Sequence, residues 1–130
     1  MNGHRAVGPS DADTSELIVV LERLVRVALT DEGVEMLVIR DADWYRVTLS
    51  RTGGAGSALL GTDARAVFSF TRDRVRGLKG LGVGVPDLAR SAFGELLDQL
   101  ARSAPDKVAF MRTIHARLAA TCREVVGSTT

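Results

Sequence analysis

The chain has 130 residues, 45 % of them hydrophobic and 25 % charged, with 17 basic against 16 acidic side chains. That length gives one domain able to hold itself together without a disulfide or a metal, since a chain near 150 residues buries roughly 68–70 % of its extended surface. A net charge of +1 excludes the basic excess of a dedicated nucleic-acid binder, and the composition excludes disorder of the whole chain.

Cys122 is the single cysteine, so no intramolecular disulfide forms and a reducing, cytoplasmic setting is expected. Nearly all the positive charge is arginine, because Lys79 and Lys107 are the two lysines. That skew fits a GC-rich bacterial genome. The N-terminal residues have no apolar signal core. The longest apolar run, Leu17 to Leu21, is five residues, far below the ~20 that a membrane span needs.

Residues 1–12 show no periodicity and are expected to form a disordered tail, with a single domain over 13–126 and a short tail at 127–130. Asp13-Thr14-Ser15-Glu16 has the form of a capping box that would open a helix. Leu17, Val20, Leu21, Leu24 and Ala28 make one stripe of that helix, and Ile18, Val25 and Leu29 a second beside it. A helix apolar around so much of its girth must be buried on more than one side. Gly33 supplies its C-terminal stop.

Val34 to Ser50 reads as two strands around the turn Asp41-Ala42-Asp43. Val34, Met36 and Val38 share one face of the first strand, opposite Leu37 and Ile39. In the second, Tyr45, Val47 and Leu49 alternate with Trp44, Arg46, Thr48 and Ser50. Arg51 to Ser57 is a glycine-rich loop, Ser57 to Gly61 a candidate short strand, and Ala66 to Thr71 a further strand with Ala66, Phe68 and Phe70 inward.

Residues 72–84 read either as a short frayed helix or as a strand extension leading into a mobile connection, and they carry glycines at 77, 80, 82 and 84. Each costs about 1 kcal/mol against alanine in a helix, which argues against a stable regular element there. Pro86 fits a first helical turn, followed by a stripe of Leu88, Ala92, Phe93, Leu96, Leu97 and Leu100. Ser103-Ala104-Pro105 breaks this helix, and Pro105 would open the next, with Val108, Met111, His115, Leu118, Cys122 and Val125 at steps of three and four. The pair forms a helical hairpin.

Patterns of catalysis are weak. Cys122 and His115 lie seven residues apart on one predicted helix, so about 10 Å of rise separates them, whereas a nucleophile–base pair needs about 2.6–3.2 Å. Core or interface positions explain both better. One cysteine and two histidines, His4 being in the tail, cannot supply the four ligands of structural zinc. The glycine segments match neither G-x-G-x-x-G nor the P-loop, and read as linkers. Asp41 and Asp43 are explained as turn residues and lack the later ligands of a calcium loop. Glu95 and Asp98 fall on a solvated face. No metal and no cofactor is expected.

Arg72, Arg74, Arg76 and Lys79 form the densest positive cluster and are the candidate anion-binding residues. Asp73 inside the run favours a solvated or internally paired face instead.

The expected fold is α+β: one helix, an antiparallel meander of three or four strands, and a C-terminal helical hairpin. Excess apolar surface points to a non-enzymatic protein-interaction module, an adaptor or regulatory accessory protein. It would act as a homodimer, with a further protein partner, and its interface would run along Val108, Met111, His115, Leu118, Cys122 and Val125. The alternative is a regulator that binds anions or nucleic acid through Arg72 to Lys79. A small enzyme using Trp44, Tyr45 or His115 in a pocket shared between subunits is the third reading.

Overall fold

The computed structural model describes the backbone of residues 9–52 and 59–122 and the side chains of 12–52 and 59–120. Helix α1 spans Pro9–Ala28, and three strands follow: β1 at Glu35–Asp41, β2 at Trp44–Thr52 and β3 at Asp63–Thr71. Three helices complete the fold: α2 at Arg72–Gly80, α3 at Val85–Ser103 and α4 at Lys107–Cys122. The protein is therefore α+β, with a C-terminal helical region.

The sheet is antiparallel in the order β1-β2-β3. The meander has three strands, not four. Of the proposed strand at Ser57 to Gly61, residues 59 and 60 form a turn and bend, and 57 and 58 lie outside the described residues, as do 53–56 of the glycine loop; Arg51 and Thr52, read as its start, instead end β2. The expected alternation holds in β2, where Tyr45, Val47 and Leu49 are buried. These side chains meet Ala66 and Phe70 of β3, and Tyr45 stacks on Phe70 with ring centroids 5.3 Å apart.

Helices cover one face of this sheet. Leu17, Leu21, Leu24 and Ala28 of α1 and Ala92, Phe93, Leu96 and Leu100 of α3 complete the core. Burying such aliphatic and aromatic side chains is worth about 1.5–3 kcal/mol each. Alanines at 64 and 66, which are fully buried, leave room for α3 to lie close to β3.

Several expectations are corrected. Helix α1 begins at Pro9, within the stretch expected to be disordered; residues 1–8 of that tail lie outside the described residues. Asp13 therefore sits inside the helix and caps nothing; its carboxylate accepts from Lys79 Nζ at 2.8 Å. Of the two readings of residues 72–84, the helix forms, over 72–80, despite Gly77 and Gly80. The Thr71 hydroxyl accepts from the Arg74 N–H at 3.0 Å, and Val75 is buried, which together offset the glycine cost. Gly82, at φ +91°, ends the turn that follows. Pro105 precedes α4 rather than opening it. Asp106 takes that place, its Oδ1 accepting from the Ala109 N–H at 3.1 Å.

Candidate interaction surfaces

The two edges of the sheet differ. On the β3 edge, Gln99 of α3 pairs with Val67 as another strand would: Nε2 donates to the Val67 carbonyl at 2.8 Å, and Oε1 accepts from its N–H at 2.9 Å. On the β1 edge, no strand among the described residues pairs on the outer side. Ala42-Asp43 is a two-residue turn closed by Asp41 and Trp44. In a hairpin of this length that closing pair is hydrogen-bonded, so Met36 and Val38, in the alternate positions, direct their N–H and C=O away from β2.

The sheet face turned away from the helices is apolar near that edge. Leu37 is 58 % exposed, Ile39 43 % and Val67 36 %. Leu37 stands opposite Thr48, which stands opposite Val67, so a row crosses the sheet. Exposed edges are ordinarily blunted by lysine, proline, a bulge or a covering element. β1 has an unbroken register, and its charged residues sit at its two ends, Glu35 at one and Arg40 and Asp41 at the other.

The residues expected to form an interface on α4 separate into groups. Phe110 and Ile114, at neighbouring positions, are the fully buried ones. Met111 and Leu118 are half-buried, and Val108 and His115 are exposed. The side chain of Cys122 and the whole of Val125 lie outside the described residues. Because α4 runs continuously through His115 and Cys122, the two stay about 10 Å apart along its axis.

Met111 and Leu118 form one wall of a groove of about 310 Å³. Leu24 of α1 and Phe93 and Leu97 of α3 supply its other apolar surface. The only polar side chains lining it are His115 and Arg90. Arg90 also donates to Asp87 at 2.6 Å.

The basic cluster on α2 is largely engaged by carboxylates. Arg72 pairs with Asp43 at 2.8 Å, Arg76 with Asp73 at 3.2 Å and Lys79 with Asp13 at 2.8 Å. The hydrogen bond and charge of Asp13 hold the Lys79 ammonium above its ordinary pKa. Arg74 is exposed and borders a shallow depression with Trp44, Phe70 and Thr71.

Trp44, Tyr45 and His115 do not converge. Trp44 and Tyr45 project from opposite faces of β2, while His115 stands on α4. Asp98 is held by Arg102 and Lys107, at 3.0 and 3.4 Å, and Glu95 is exposed. No group of three or more His, Cys, Asp or Glu among the described residues could hold a metal ion, and none of the described helices is long and apolar enough to cross a membrane.

One polar arrangement has no counterpart in the sequence patterns. Glu32 is wholly buried, with no hydrogen-bond partner for either carboxylate oxygen. Its backbone carbonyl accepts from Arg51 Nε at 2.6 Å, and Arg51 NH1 donates to the Gly61 carbonyl at 2.6 Å. Arg51 is itself buried and ties the end of the α1 turn to the approach to β3.

The architecture defines a small α+β domain with one closed and one open sheet edge. The chain matches no protein-family model, no curated protein and no solved structure. The functional reading rests on this geometry.

Proposed function

We propose that this chain is a non-enzymatic protein-interaction module that works as a homodimer, with the β1 edge as the contact. The carrying observation is the contrast between edges: Gln99 occupies Val67 on one side, while β1 presents Leu37 and Ile39 beside outward backbone groups on the other. A second copy can add its β1 in antiparallel fashion, since one strand edge is a template for another. A two-fold axis at Val38 sets Leu37 of one protomer opposite Ile39 of its partner, twice. Such cross-strand aliphatic pairs contribute about 0.2–1 kcal/mol each beyond alanine.

The same register sets Glu35 opposite Asp41 of the partner at both ends. Like charges facing across strands are destabilising, and salt screens them. This dimer therefore tightens as salt is added, unlike one held by ion pairs.

Light scattering after size exclusion tests the reading. The expected mass is twice that of the monomer, with Ile39→Lys giving a monomer that melts like the parent. A parent that stays monomeric at high concentration and high salt would sink the proposal. The anion-binding alternative has less support, because three of the four cations already face carboxylates. Absorbance at 260 nm that co-elutes and falls with salt would bring it forward.

A further inference from the structure

The groove between α1, α3 and α4 is separate from the sheet edge and has its own chemistry. Its floor and walls are aliphatic and aromatic, and the two side chains that break this pattern, Arg90 and His115, are both able to carry positive charge. On the outer side of α4, Arg112 stands one turn before His115 and is exposed. The α4 residues Lys107 to Cys122 contain Lys107, Arg112, His115 and Arg117 and no acidic residue. Of these cations Lys107 pairs with Asp98 and Arg117 with Asp31, and Arg90 on α3 pairs with Asp87.

Gly94 adds a second, independent observation. It lies in the middle of α3, where glycine costs about 1 kcal/mol against alanine. A methyl group there would meet no atom within 4 Å, so packing does not require its absence. Gly94 lines the groove, and its missing side chain keeps the space open.

Room, apolar walls and cationic margins together select an occupant. The groove offers about 310 Å³. That volume is at the small end of ligand sites, which are apolar with a few placed polar groups. We infer that the groove binds a medium-chain aliphatic carboxylate. Its chain would lie along Phe93, Leu97, Met111 and Leu118, and its carboxylate would accept from Arg90 and His115. An aliphatic alcohol of the same length fills the groove equally well and lacks the charge-assisted hydrogen bonds. Binding here does not depend on β1 pairing, and the two proposals fail separately.

Isothermal titration of the full chain with sodium octanoate, which has ten non-hydrogen atoms, tests the inference. One site per chain is expected, with a dissociation constant of about 0.1 mM, within the bound for so small a ligand. Octan-1-ol should bind about tenfold more weakly, and the Arg90→Gln, His115→Gln double variant should lose about tenfold for octanoate and nothing for octanol. Gly94→Leu should abolish binding. If that variant does not fold, Ala119→Trp fills the same groove from an exposed position on α4. Equal affinity for octanol and octanoate would overturn the proposal, as would octanoate binding that survives a folded groove-filling variant. A groove that ignores octanoate at millimolar concentration but takes an acidic amphipathic peptide would overturn it in favour of a protein partner.

Discussion

The Gln99 amide forms two hydrogen bonds with the backbone of Val67, one through each of its atoms, and so ends the sheet at β3. The two residues lie 32 positions apart, and α3 brings them together. Replacing Gln99 by leucine, close to it in volume, removes both bonds while keeping the packing. A net loss of about 1–2 kcal/mol in urea unfolding is expected, on the basis of ordinary intramolecular hydrogen bonds. The exposed β3 edge should also add species larger than the parent's in light scattering. A variant as stable and as small as the parent would show that α3 alone closes this edge.

Arg51 is the most consequential buried cation. Its guanidinium donates to the backbone carbonyls of Glu32 and Gly61, at 2.6 Å each. Arg51→Met keeps the length of the side chain but leaves the carbonyls of Glu32 and Gly61 without this donor. Leaving a buried acceptor without its partner costs about 1–3 kcal/mol, which for a domain of this size is a large share of its stability. Unfolding midpoints of the variant and the parent check this; a change below about 1 kcal/mol would mean that water reaches both carbonyls.

Much of this fold is legible in the sequence where one physical signal dominates. Tyr45, Val47 and Leu49 alternate with Trp44, Arg46 and Thr48 because the sheet is covered on one face, and the helical stripes of Leu17–Leu24 and Leu96–Leu100 follow from the same core. Where two signals compete, the reading fails. On α4, Val108–Met111–His115–Leu118 satisfies steps of three and four, but Phe110–Ile114–Leu118 satisfies steps of four, and Phe110 and Ile114 are the buried pair. The choice depends on where α1 and α3 lie. Helix α2 competes with a strand extension when four glycines are counted over 77–84, although only Gly77 and Gly80 fall within it and both face solvent.

The surfaces were less legible than the core. The open β1 edge depends on which strand is central, and the groove depends on three helices meeting. Gln99, Arg51 and Glu32 carry no local signal, because their partners are 10 or more residues distant or, for the Glu32 carboxylate, lacking among the described residues. Gly94 alone left a trace: a glycine in an otherwise strong helical stripe.

The ion pair between Lys79 and Asp13 joins α2 to α1, and its pH dependence has a definite sign. The folded state raises the lysine pKa above the ordinary 10.5, chiefly through the hydrogen bond to Asp13 and then through its charge. The pair therefore adds stability in full below that ordinary value and loses it as the pH climbs through the raised one. Unfolding midpoints of the parent and Asp13→Asn should differ at pH 8 and converge above the raised pKa. Salt should shrink the difference at pH 8, because the lysine end of the pair is more than half exposed. Curves that stay parallel through the alkaline range would show that Asp13 acts through helix packing instead.

Two glycine-to-alanine substitutions should have opposite signs. At Gly61 an added Cβ would stand 2.6 Å from the Ser103 carbonyl oxygen, at the end of α3. That atom is backbone and cannot swing away, so the chain at Gly61 must shift, and its carbonyl would be pulled from Arg51. Overpacking of this kind costs about 1–3 kcal/mol. At Gly94 the same methyl enters open space in the middle of a helix and should gain up to about 1 kcal/mol. Thermal and urea unfolding of the two variants compare them directly, since the chemical change is identical and only the surroundings differ. A destabilised Gly94→Ala would mean that the groove wall is closer than the present geometry places it, and a neutral Gly61→Ala would mean that the junction between α3 and β3 yields without loss.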